Sequence, residues 1–118
     1  MARVTGIGGV FFRAQAPEVL AAWYATHLGI TEGAWQQEAG TTVFTPFKAT
    51  TDYFAAGKAW MLNLRVEGLV ALCARLGTEG IAVETRAEWD GDGSYGHFAR
   101  IHDPEGMPIE LWEPPAAT

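Results

Sequence analysis

The chain has 118 residues, 48% of them hydrophobic, and a formal net charge of −6. That length suits one domain able to bury a core without cross-links, and a single cysteine, Cys73, excludes an intramolecular disulfide. Only eight Lys and Arg are scattered along an acidic chain, a balance that repels phosphate backbones and argues against nucleic acid as a partner.

Residues 7–14 alternate like a strand. Val10, Phe12 and Ala14 face one way, and Gly9, Phe11 and Arg13 the other. Pro17 suits the first turn of a helix, with Glu18 near the positive end of its dipole. Leu20, Trp23, Tyr24, His27 and Leu28 recur at helical spacing, and Gly29 reads as the capping glycine. Strand-like pieces follow at 31–38, 41–47 and 51–54. A second strand spans 60–66, with Leu62, Leu64 and Val66 on one face and Met61, Asn63 and Arg65 on the other. Leu69, Leu72, Cys73 and Leu76 form a helical stripe that Gly77 is expected to cap, burying an inert Cys73 thiol. Further strands are predicted at 81–86, 95–102 and 108–113. Asp103-Pro104-Glu105-Gly106 has the composition of a type I turn.

The order repeats. Phe12-Arg13-Ala14 lies 52 residues before Leu64-Arg65-Val66, and Gly29-Ile30 lies 51 before Gly80-Ile81. The pattern predicts an α+β fold of two βαβββ modules, about 4–56 and 58–114, within a single domain spanning 1–118. Their mixed sheet would curve around a pocket, with the helices outside. No run of 18 apolar residues is present, so no membrane span is predicted. The start, Met1 to Gly6, lacks the apolar stretch of a secretory signal. With one cysteine, that fits a reducing cytoplasm.

Residues Tyr95 to Pro114, with the Asp103–Gly106 turn followed by Ile109, Glu110 and Leu111, carry a family resemblance, as do Gly9 to Tyr24 with Leu28-Gly29. Over nearly its whole length the chain resembles the glyoxalase / bleomycin-resistance / extradiol-dioxygenase superfamily, the vicinal oxygen chelate fold. Met107 stands where that family usually has Asn, which alters only the turn. The resemblance implies a glyoxalase-like domain and, in many members, a divalent metal held by His, His and Glu. The positions matching those ligands here carry Gly9, Met61 and Glu110. Gly has no donor, and a thioether is a poor ligand for hard ions. No metal and no other cofactor is therefore expected.

If the last hairpin pairs His102 with Pro108, Arg100 lies opposite Glu110 and Phe98 opposite Trp112, all on the inner face. The expected pocket consists of Phe11, Arg13, Phe44, Trp60, Met61, Asn63, Arg65, Phe98, Arg100, Glu110 and Trp112, with Glu110 as the candidate catalytic base. An Arg100–Glu110 ion pair would orient a polar ligand or neutralise a leftover carboxylate. Glu88 to Gly93 reads as a flexible loop, a candidate lid anchored by Trp89.

Three functional readings follow. One is a metal-free protein that binds a small organic molecule, either sequestering it or using Glu110 as a base. Another is a metal-dependent lyase, isomerase or dioxygenase with rearranged ligands, Glu110 with His97 or His102. The third is an interaction module whose pocket has closed. A homodimer is expected under each, because an open sheet leaves an edge to protect.

Overall fold

The structure is a computed structural model that describes residues 2–116. Helix α1 spans Pro17–Leu28, and its proline occupies the first turn as expected. It stops at Gly29, whose left-handed φ of 70° lets the N–H groups of Gly29 and Ile30 return to the carbonyls of Ala25 and Tyr24. Ala16 has no side chain to cap the start. The Glu105 carboxylate does so from 89 residues away, accepting from the N–H groups of Gln15 and Ala16 at 2.7 and 3.0 Å.

Strand β1 spans Leu62–Arg65 and helix α2 Leu69–Thr78. The second helix runs past Gly77. The positive φ falls instead at Gly80, and the Ile81 N–H closes on the Leu76 carbonyl at 3.0 Å. Its start is again capped at a distance, by Glu113, which accepts from the N–H groups of Gly68 and Leu69. A short helix α3, Ala87–Asp90, replaces part of the predicted flexible loop. Strands β2, His97–His102, and β3, Pro108–Glu113, form the last hairpin.

These strands make one three-stranded mixed sheet in the order β1-β3-β2, with β1 parallel and β2 antiparallel to β3. The register is the expected one: His102 pairs with Pro108, Arg100 with Glu110 and Phe98 with Trp112. On one face Ala99, Ile101, Ile109 and Leu111 are wholly buried. They pack with Leu69 and Leu76 of α2 and with Leu20 and Tyr24 of α1. This face is the core.

The turn at Asp103 does more than reverse the chain. One carboxylate oxygen accepts from the N–H groups of Glu105 and Met107, and the other accepts from the Tyr24 hydroxyl at 2.8 Å. Asp103 and Tyr24 are both buried. The hairpin tip is thereby clamped to α1 by one residue and caps it with another.

The two-module architecture is not observed. Among the described residues there is no first βαβββ unit and no curved sheet closing on a pocket. Residues 7–14, 31–38, 41–47 and 51–54 form no strand, and 81–86 contributes one isolated bridge, Glu84 to Arg100. Alternation fixes which way side chains face, but a strand also needs a neighbour for its N–H and C=O groups. Phe12 touches Tyr24 and Trp60 but is still 40% exposed, and Phe11 points out, 95% exposed, and no ladder forms along them. Beside β1, Arg65 takes up backbone acceptors in place of a strand, donating to the carbonyls of Thr41 and Glu38. Gly40 permits this approach, since a Cβ there would lie 2.6 Å from the guanidinium carbon. The radius of gyration is 15.1 Å, against about 13.5 Å for a compact domain of this length. Among the described residues, no helix is long and apolar enough to cross a membrane.

Candidate functional site

The sheet's second face carries the polar and aromatic residues. Period-two alternation places Asn63 and Arg65 of β1, Glu110 and Trp112 of β3, and Phe98 and Arg100 of β2 together on it. Glu110 and Arg100 are 7% and 8% exposed, so two charged groups are buried at its centre.

Glu110 is held from both sides. Asn63 donates its amide to one carboxylate oxygen at 2.7 Å, and the Tyr53 hydroxyl donates to the other through a short hydrogen bond. Burial first, and then the bond to Glu110, push the Tyr53 phenol far above its ordinary range, so it stays a donor. Each Glu110 oxygen thus accepts one hydrogen bond from a neighbouring side chain.

Arg100 lies opposite Glu110 in register, but among the described residues no ion pair joins them. Its guanidinium lies instead against two aromatic rings that meet edge to face, 4.9 Å from the centre of Tyr53 and 5.0 Å from that of Trp89. One terminal nitrogen donates to the Tyr53 carbonyl at 2.8 Å. Phe98 and Trp112 stack at 6.4 Å and 12°, and the Trp112 indole donates to the Tyr95 carbonyl.

Beside this face lies an open cleft of about 1210 Å³. Of the expected pocket residues, Phe44, Trp60, Met61, Asn63, Arg65 and Trp112 line it. Phe98, Arg100 and Glu110 lie outside its lining, reached through Asn63, which both faces the cleft and binds Glu110. Phe11 and Arg13 are exposed and lie outside it too.

The residues do not fit the metal centre implied by the resemblance. Gly9 offers no donor, and both Glu110 oxygens already have hydrogen-bond partners. His97 is exposed and pairs with Asp90 at 2.9 Å, and His102 is exposed. No three His, Cys, Asp or Glu side chains converge among the described residues.

Sequence reasoning missed Tyr53. Its contacts with Glu110 and Arg100 span 57 and 47 positions and leave no trace in local periodicity. Trp89 was legible as an aromatic anchor, but its partner, Arg100, was not.

Fold and site together define a small domain with a helix-covered sheet whose free face presents buried charges beside an apolar cleft. Comparison with models of known families finds no match, and neither does comparison with curated proteins. Among solved structures, the chain is similar to TnmS3, described as an antibiotic binding protein from Streptomyces sp. CB03234. The two share 22% identity and superpose with a TM-score of 0.62 over 98% of this chain and 100% of that one. The likeness is one of fold.

Proposed function

We propose that this protein binds a small organic molecule in the cleft beside the free sheet face, without a metal centre. The observation that carries the reading is the buried Glu110, held by Tyr53 and Asn63 in a wall whose outer members line a cleft large enough for such a ligand. Sequestration of the bound compound accounts for these features, and the fold shared with an antibiotic-binding protein supports it. Glu110 is the group in this reading that would accept a proton.

The protein works as a cytoplasmic homodimer in this reading. Val4, Phe11, Val43 and Phe44 are between 63% and 95% exposed on segments without ladder partners, a cost that a second copy would relieve. An acidic chain of net charge −6 has no use for nucleic acid.

The test is a fragment screen by thermal shift, followed by mapping on amide and side-chain NMR signals. A true ligand at 100 times its Kd stabilises by about 2.7 kcal/mol. It should shift the signals of Asn63, Arg65 and Trp112. A diverse screen in which no compound raises the melting temperature or moves those signals would overturn the reading.

A further inference from the structure

Arg100 carries an unused recognition edge. It is 92% buried by its 8% exposure, and two of its nitrogens, Nε and Nη2, find no acceptor among the described residues. Buried donors in folded proteins nearly always have partners, so an orphaned pair on one side chain calls for an explanation. These two nitrogens are not a random pair. They form the side edge of the guanidinium, whose N–H bonds run parallel at the spacing of two carboxylate oxygens. The third nitrogen, Nη1, is spent on the Tyr53 carbonyl, which fixes the plane of the group.

The surroundings favour a ligand over an internal partner. The nearest carboxylate across the sheet, Glu110, is already committed to Tyr53 and Asn63. Glu84, bridged to Arg100 through the backbone, turns its carboxylate to Arg86. Asp90, on the helix that carries Trp89, is tied to His97 and to the Phe98 N–H. Each of these three carboxylates therefore has a partner other than Arg100.

We infer that the Nε/Nη2 edge of Arg100, which lies beyond the cleft's lining, receives the carboxylate of the bound organic molecule once the Trp89 ring beside the guanidinium moves aside. The inference deepens the proposed cleft function and rests on it. Tyr53 and Trp89 both lie against the guanidinium, and their rings meet edge to face at 6.3 Å. Trp89 is the movable one. It sits on a four-residue helix followed by Gly91 and Gly93, both with positive φ, whereas Tyr53 is pinned by its bond to Glu110. A flat, unsaturated acid matches the site best, because displacing an aromatic ring from a cation exposes faces that another π-system can cover.

The experiment uses two probes of one shape, 2-naphthoate and 2-naphthamide, titrated into the full chain. Side-chain Nε–H signals of arginine and backbone amides are followed by NMR. The expected result is binding of the acid at least about tenfold tighter than the amide, with the Arg100 Nε–H signal shifting on acid addition alone. Arg100→Lys, which keeps the charge but loses the fork, should remove most of the difference. Trp89→Ala should speed association of the acid. Equal binding of both probes at the cleft, with Arg100 Nε–H unmoved, would overturn this inference and leave the cleft reading standing. Failure of both probes to bind would overturn both. The wild-type comparison decides the matter even if Arg100→Lys does not fold.

Discussion

Replacing Tyr24 by Phe deletes one oxygen atom from a buried site and tests whether the clamp between the last hairpin and α1 holds the fold together. The Tyr24 hydroxyl donates to Asp103 at 2.8 Å, and both residues are buried. Burial, followed by the Asp103 carboxylate, pushes the phenol far above its ordinary range, so the donor persists at every workable pH. Without it, one carboxylate oxygen loses its donor while the other keeps the N–H groups of Glu105 and Met107. A hydrogen bond to a charged group contributes about 1.5–3 kcal/mol. With an unfolding entropy of about 2.1 cal/mol/K per residue, a chain of this length loses about 4 °C per kcal/mol, so Tyr24→Phe should lower Tm by about 6–12 °C. Urea denaturation should show the same loss with an unchanged m-value. Asp103→Ala removes three hydrogen bonds and should cost more. Combined with Tyr24→Phe in a double-mutant cycle, it should show coupling of at least about 0.5 kcal/mol. A Tyr24→Phe stability within about 0.5 kcal/mol of wild type, with no coupling to Asp103, would refute the clamp.

Glu105 and Glu113 each accept two backbone N–H groups at helix starts, and those bonds hold both carboxyls below their usual range. A depressed folded-state pKa contributes stability that is present above the unfolded value of about 4.3 and is lost as pH falls through the folded one. Acid titration of unfolding should therefore show stability falling below about pH 4.3, and Glu105→Gln with Glu113→Gln should flatten that limb. A wild-type-like acid limb in the double variant would count against the two caps. Gly96 has φ of +100°, and a Cβ there would meet the Glu113 carbonyl at 2.1 Å. Gly96→Ala should cost at least about 2 kcal/mol, measured by chemical denaturation, through strain and overpacking together. Burial pushes the Cys73 thiol up, so its reaction with a disulfide reagent at pH 7.5 should be slower in the native state than in urea. Equal rates would show that the thiol is open.

The free sheet face was legible residue by residue where it depends on alternation within the last hairpin and β1. The turn at Asp103–Gly106 sets the register, the register puts Arg100 opposite Glu110, and the pleat brings Asn63, Phe98 and Trp112 to the same side. Each of these steps is local or depends on one tight turn. The ion pair expected between Arg100 and Glu110 failed because each found a different partner. Tyr53 reaches Glu110, and the rings of Tyr53 and Trp89 lie against Arg100. Those partners arrive from other parts of the chain, and nothing in period or spacing announces them. Likewise, Glu105 was legible as a turn residue but not as the cap of a helix that begins 88 positions earlier at Pro17.

The sequence by itself determined the two main helices, the glycine stop of the first at Gly29, the last hairpin and which side chains share a face, because propensity, capping and alternation act over a few residues. It predicted a first half built like the second, and there only tertiary structure could decide. Residues 7–14 and 41–47 have the pattern of strands but no neighbour to receive their backbone groups. Whether a patterned segment becomes a strand is settled by what lies beside it, and here β1 is flanked by a loop held on Arg65 rather than by another strand. The burial of a charged pair, the pairing of each with an aromatic or amide partner, and the unused edge of Arg100 are products of that packing.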